Sequence, residues 1–331
     1  MTAKRARPIL ALLVVLMMLG ACSSPTIHPA GPEAVTPALN GDHFVAHDGA
    51  RIPVRAWLPA AGKPAAIIIA LHGFNDYSNF FADPGRFLSE RAIGTYAFDQ
   101  RGFGAAPAPG LWPGIAALIK DLQTVTSLVK TRHPGTPVYL LGESMGGAVV
   151  MVTARHARNL GARLGVNGVI LSAPAVWGRQ TMPWYQNVAL WLSAHTFPGV
   201  ALTGEGLDIV ASDNIEMLRA LGRDPLVIKE TRIDAMYGLT NLMDAALEAA
   251  RDLDLPALVL YGEKDEIIPR QPTEEMLSRL PEKGKADRTV IFYENGYHML
   301  IRDLQAKTVW RDIARWIKAR SRLADSQSAA E

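Results

Sequence analysis

Gly142-Glu143-Ser144-Met145-Gly146 follows the apolar run Pro137-Val138-Tyr139-Leu140-Leu141 and precedes the small-residue run Gly147-Ala148-Val149-Val150-Met151. This order reads as strand, sharp turn and helix, with a serine at the apex. Such a turn forces the serine backbone into a strained conformation. Glycines two residues either side are required because a Cβ at those positions would strike the neighbouring strand or helix. The strain lifts the hydroxyl clear of the sheet, and the helix N-terminus behind it favours negative charge developing on a nearby oxygen. The stretch is a nucleophile elbow.

Working outward, apolar runs recur at Ala65–Leu71, Ile93–Phe98, Val138–Leu141, Val169–Leu171, Ala257–Tyr261 and Val290–Tyr293. Continuous apolar runs suit strands buried on both faces of a parallel sheet. Helical segments such as Pro84–Arg91 and Ile115–Arg132 separate them, so the expected class is α/β, a mostly parallel central sheet with helices on both faces. His43–His47 and Ile52–Leu58, flanking Asp48-Gly49-Ala50-Arg51, predict an opening β-hairpin. Between Ser172-Ala173-Pro174 and Ala257 the alternation stops for about 80 residues, too long for a loop without structure of its own. Helical character near 183–196, 213–221, 230–237 and 239–251 predicts a helical cap. Its aromatic residues, Trp177, Trp184 and Trp191 among them, are candidates for an acyl-chain pocket.

The 331 residues suffice for one large α/β domain or two small ones. The net charge is +2, and Lys4, Arg5 and Arg7 supply three positive charges, so the remainder carries −1. A near-neutral body excludes an electrostatic footprint for nucleic acid. Those three basic residues precede an apolar stretch, Ile9 to Leu19, too short for an ordinary membrane span and suited to a secretory signal. It ends Leu19-Gly20-Ala21-Cys22-Ser23-Ser24, which resembles a bacterial lipobox, and Cys22 is the single cysteine of the chain. The resemblance implies a signal peptide over 1–21, lipidation of Cys22 and a membrane anchor. With Ser23 following the cysteine, it implies sorting to the outer membrane, facing the periplasm. Residues 22–41 read as a flexible tether, 42–175 and 252–320 as the core, 176–251 as the cap and 321–331 as a disordered tail.

A serine hydroxyl needs a base to become nucleophilic. In a strand–elbow–helix arrangement the partners follow in the order serine, acid, histidine, each just after a strand. Of the eight histidines, His298 alone lies beyond both the serine and a post-strand acid. The acid comes from Glu263, Asp265 or Glu266, with Asp265 preferred. Asp303 is read as a cap or a solvent-facing residue of the next helix. Backbone N–H groups of Met145 and Phe74 are the candidate oxyanion hole, and His72 is read as a residue that orders its loop. No H-E-x-x-H or clustered Cys/His pattern is present, so neither a catalytic metal nor another cofactor is expected.

With these residues placed, the chain resembles the α/β-hydrolase superfamily and, within it, the monoacylglycerol lipase and lysophospholipase branch, also described as serine aminopeptidase-like hydrolases. The resemblance covers roughly 42–320. It rests on His72-Gly73, the turn Asp99–Gly104, Gly142–Gly147, Leu171–Pro174, Asp224-Pro225-Leu226, Gly262 with Asp265, and His298. It implies a Ser144–Asp265–His298 triad and hydrolysis of lipid-like esters through an acyl-enzyme. In the loop Phe74-Asn75-Asp76-Tyr77-Ser78 this chain departs from close relatives, which often carry another glycine. The same triad serves short-chain carboxylesterases, peptidases and acyltransferases. A non-catalytic ligand-binding lipoprotein is the alternative of another class, and the intact triad argues against it.

Overall fold

The computed structural model describes residues 24–328 apart from 163, 205, 207 and 283–286; Cys22 and the signal segment lie outside the described residues. Nine strands form one sheet: β1 (Ala38–Leu39), β2 (His43–Val45), β3 (Arg51–Trp57), β4 (Ala66–Leu71), β5 (Ile93–Phe98), β6 (Val138–Glu143), β7 (Gly168–Ser172), β10 (Ala257–Gly262) and β11 (Arg288–Tyr293). Their spatial order is β1-β2-β3-β5-β4-β6-β7-β10-β11. The first three strands pair antiparallel, as the predicted hairpin requires, and β3 also meets β5 antiparallel. From β5 onward every neighbour is parallel. This is the α/β-hydrolase fold.

Side chains alternate across the sheet and so divide the core in two. Ile67, Ile69 and Leu71 of β4 face one layer, with Leu118, Leu122 and Val125 of helix α2 (Ile115–Arg132) and Val149 and Val150 of helix α3 (Met145–Asn159). Ala66, Ile68 and Ala70 face the opposite layer. There they meet Leu88 of helix α1 (Ala82–Ser89) and Val309, Trp310 and Ile313 of helix α8 (Ala306–Ser328). Both layers are built of buried apolar side chains, and the parallel strands between them are buried along their whole length from β4 to β7.

Between β7 and β10 the chain forms helix α4 (Trp184–Thr196), strand β8 (Ala201–Thr203), helix α5 (Ile215–Arg223), strand β9 (Glu230–Arg232) and helix α6 (Ile233–Ala249). The ribbon β8–β9 is not signalled in the sequence, because two three-residue strands carry no measurable alternation. The two helices expected near 230–237 and 239–251 are one helix, which runs straight through Gly238. That glycine is required: its Cβ would lie 2.4 Å from Trp112 Cδ1. Leu242, Ala246 and Leu247 of α6 are buried in the same cluster as the α3 valines, so the last helix of the insertion belongs to the core layer. Helix α7 (Arg270–Arg279) completes this layer through Met276.

Two segment readings are corrected. From His28 onward the expected tether lies bound to the body: His28 N donates to Trp112 O, Gly31 N to Asp48 Oδ2, and Ala34 N and Val35 N both to His47 O. Small residues and prolines here follow a fixed path because the backbone donors find partners. At the other end, α8 continues to Ser328, through most of the segment read as a disordered tail. Residues 321–328 contain no glycine or proline to stop it.

A buried ion triad fastens the hairpin to α2. Arg101 donates through Nη1 to Asp48 Oδ2 (2.8 Å) and through Nε and Nη2 to both oxygens of Asp121 (3.0 Å each). Burial pushes the Asp121 carboxyl up, with Arg101 opposing that shift.

Candidate active site

Ser144 sits between β6 and α3 with φ 51° and ψ −115°, a conformation that an L-residue adopts only under constraint. The constraint comes from three close approaches. A Cβ on Gly142 would lie 2.3 Å from Gly146 C, one on Gly146 would lie 2.3 Å from Leu71 O, and one on Gly147 would lie 2.9 Å from Pro174 Cβ. Backbone bonds hold the turn to the next strand: Ser144 N donates to Ser172 O, and Ala175 N donates to Ser144 O.

The loops after β10 and β11 meet each other. His298 Nδ1 donates to Asp265 Oδ2 at 2.7 Å, with both side chains buried. The other carboxylate oxygen, Oδ1, accepts from Ile267 N (2.8 Å) and Ile268 N (2.9 Å), so both oxygens are occupied and the carboxylate cannot swing away. The neighbouring acids do other work. Glu263 lies 3.6 Å from Arg270, and Glu266 Oε2 accepts from Val210 N of the cap.

The loop after β4 lies against the elbow: a Cβ on Gly73 would be 3.4 Å from Ser144 Cβ. Phe74 packs edge-on against Phe103 (5.4 Å between centroids), and Met145 is the first, fully buried residue of α3. Asn75 has φ 65°, a left-handed conformation that asparagine tolerates. Its carbonyl accepts from Ile228 N and its Nδ2 donates to Thr231 Oγ1, so this loop is tied to the cap. Tyr77 adds a second tie, donating to Asp224 Oδ2 at 2.6 Å, and burial pushes its phenol up to about 12. His72 is wholly occupied in ordering the loop. Its Nδ1 donates to Gly73 O, its Nε2 accepts from Gln100 N, and burial lowers its pKa and favours the neutral ring.

Asp303 is neither a helix cap nor a solvent-facing residue. It is buried, accepts from Ser212 Oγ (2.5 Å) and Tyr297 N (2.8 Å), and so joins the base of the cap to the residue preceding His298. Burial pushes its carboxyl up. Sequence position misplaces it because the segment that covers it is about 90 residues away.

A further cluster has no sequence signal. Arg302 Nη2 lies 2.7 Å from Asp76 Oδ2 and donates to Glu143 Oε2 at 3.0 Å. All three side chains are at least nine-tenths buried. Burial works against the Arg302 charge, but the two carboxylates outweigh it and raise its pKa. Burial pushes Glu143 up, with Arg302 opposing.

The three candidate pocket tryptophans occupy different settings. Trp177 packs half-buried on the main core. Trp184 is 76% exposed and Trp191 49% exposed. These two form surface rather than the wall of an enclosed pocket, because Ala194 is the one fully covered residue of α4 and its apolar side faces outward. Tyr185, Val188 and Leu192 continue that outward apolar face.

An elbow serine on a parallel sheet, with a buried His–Asp pair on the loops after two later strands of that sheet, defines a hydrolase of the α/β class. The chain belongs to the serine aminopeptidase S33 family, whose model matches residues 62–305. It is similar to the human monoglyceride lipase, 28% identical over 90% of this chain and 96% of that one. It is also similar to the monoacylglycerol lipase of Mycolicibacterium smegmatis, 25% identical over 83% and 95%. Among solved structures, a soluble variant of the Saccharomyces cerevisiae monoglyceride lipase in complex with a substrate analog shares the fold with a TM-score of 0.70. That match is 21% identical and covers 89% of this chain and 99% of that one.

Proposed function

We propose that this chain is a serine hydrolase that cleaves carboxylic esters of lipid-like substrates, monoacylglycerol or lysophospholipid, through an acyl-enzyme. The observation that carries the reading is the 2.7 Å His298–Asp265 bond on the loops after β10 and β11, taken together with the strained elbow of Ser144. With Nδ1 donating to Asp265, the neutral ring leaves Nε2 free to act as a base. Nε2 takes the Ser144 proton as Oγ bonds to the ester carbonyl carbon. The Met145 and Phe74 N–H groups receive the oxyanion. The tetrahedral adduct collapses, the C–O bond to the alcohol breaks, and His298 returns the proton to the departing alcohol. Water then repeats the sequence on the acyl-enzyme and releases the fatty acid. The named lipases among the relatives support a lipid ester as substrate.

The reading includes attachment to a membrane through Cys22. No helix among the described residues is long and apolar enough to cross a membrane, so attachment would rest on the acyl anchor and on surface contacts. The body is bound from His28 onward. Six residues span at most about 20 Å, so an acyl group on Cys22 would hold the body close to the bilayer. His28 meets Trp112, whose ring lies 6.5 Å from Phe74, so the strap joins the body on the side of the elbow. The outward apolar face of α4 fits the same surface.

A chain-length series tests the substrate class. Long-chain monoacylglycerol is expected to be cleaved with a kcat/KM about tenfold or more above that of a short-chain ester, since each buried methylene adds about 0.8 kcal/mol. A steady loss of activity beyond short acyl chains would exclude the lipid reading and favour a short-chain esterase.

A further inference from the structure

We propose that Arg302 is a positioning residue for the reaction, a single guanidinium that holds in register the three loops on which the chemistry depends. The inference rests on the ester-hydrolysis reading above and concerns residues outside the triad. Glu143 immediately precedes Ser144. Asp76 lies two residues beyond Phe74, in the turn closed by Asp76 N donating to Gly73 O. Arg302 lies four residues beyond His298, in the turn where its own N–H donates to Met299 O. One nitrogen, Nη2, stands 2.7 Å from Asp76 Oδ2 and 3.0 Å from Glu143 Oε2. The loop that carries the base is thereby joined to the elbow and to the loop that carries an oxyanion donor.

Each of the other two members is anchored from a second direction. Asp76 Oδ1 accepts from Tyr77 N, and Glu143 belongs to β6, paired with Ser172 of β7. The Arg302 carbonyl accepts from Asn214 Nδ2, which ties the same loop to the cap. The Arg302 ring contact is Phe80, 5.9 Å away, and the side chain is about nine-tenths buried. Without this guanidinium no group bridges the elbow and the oxyanion loop, so their register is lost whether or not the two carboxylates left behind also repel. An ångström of displacement between nucleophile and oxyanion donors is enough to cost about 10²-fold in rate.

The experiment compares Arg302→Met, Arg302→Lys and the double variant Glu143→Gln/Arg302→Met with wild type on a soluble ester, each well below its own melting temperature. Arg302→Met is expected to lower kcat about 10²-fold with KM within about threefold, because its guanidinium is taken up by Asp76 and Glu143. Arg302→Lys, which keeps the cation, is expected to recover most of kcat. The double variant has the net charge of wild type and no unpaired second carboxylate, so it regains stability; it is expected not to regain kcat. Arg101→Met, which opens the buried ion triad between the hairpin and α2, is the control: it lowers the melting temperature and keeps kcat.

A wild-type kcat in Arg302→Met would overturn the proposal. So would recovery of kcat together with stability in the double variant, which would make Arg302 a charge-balancing residue only. Should Arg302→Met fail to fold, Arg302→Lys and the double variant decide between the same two outcomes. Absence of ester hydrolysis in the wild type itself would refute the functional reading, and this proposal with it.

Discussion

Asp265→Asn lowers kcat for ester hydrolysis by about 10⁴-fold while the protein stays folded. The expectation follows from which oxygen does what. Asp265 Oδ1 accepts from Ile267 N and Ile268 N, and Oδ2 accepts from His298 Nδ1. An asparagine keeps its carbonyl oxygen towards the two backbone donors, because turning it over would set its NH2 against both of them. Its Nδ2 then faces His298 as a donor. The imidazole must answer with a bare Nδ1, which moves its proton to Nε2 and leaves no base for Ser144. The two backbone bonds survive, so the melting temperature changes by only a few degrees. The check is kcat on a chromogenic ester beside a thermal melt; a loss below tenfold in a folded variant would remove Asp265 from the mechanism.

Gly146→Ala is expected to destabilise the fold by about 4 kcal/mol or more, among the largest effects of a single methyl group. The added Cβ would lie 2.3 Å from the Leu71 carbonyl oxygen and 2.7 Å from Leu71 Cβ. Both belong to the central strand β4, which is fully buried and cannot retreat. The elbow must shift instead, and activity falls with stability because Ser144 moves with it. Gly222→Ala supplies the contrast. Gly222 lies in α5 with nothing within 4 Å of the added atom, and the change is expected to be neutral or to stabilise by up to about 1 kcal/mol. Equal melting temperatures for the two variants would mean that the elbow is not closed as described.

What was legible in the sequence follows from the range of the forces involved. The parallel strands announce themselves because burial on both faces demands unbroken apolar runs, and Ile67–Leu71 or Val138–Leu141 can be read without any partner. The elbow is legible for a similar reason: its steric demands fall within five consecutive residues. Spacing alone leaves Glu263, Asp265 and Glu266 all in reach, and the resemblance matches the preference for Asp265; in the fold Asp265 meets His298 while Glu266 holds the cap at Val210.

Long-range polar partners leave no such trace. Arg302 and Glu143 are 159 positions apart and Ser212 and Asp303 are 91 apart, and neither pair follows a motif. The direction of the α4 tryptophans was hidden for another reason. A helix with apolar residues all round has no polar face to say which side is out, and Ala194 rather than Trp184 or Trp191 turned inward. The strap over 28–35 leaves no trace in the sequence because its hold is through backbone N–H groups, which every sequence has.

The central claim, that Ser144 is the nucleophile, is tested most directly by covalent capture. The purified protein is treated with a fluorophosphonate, its intact mass is measured, and the modified peptide is mapped beside Ser144→Ala. The account predicts a single adduct, located on Ser144, that appears in step with the loss of ester hydrolysis and is absent from the variant. An adduct on another residue, or hydrolysis that persists in Ser144→Ala, would contradict it.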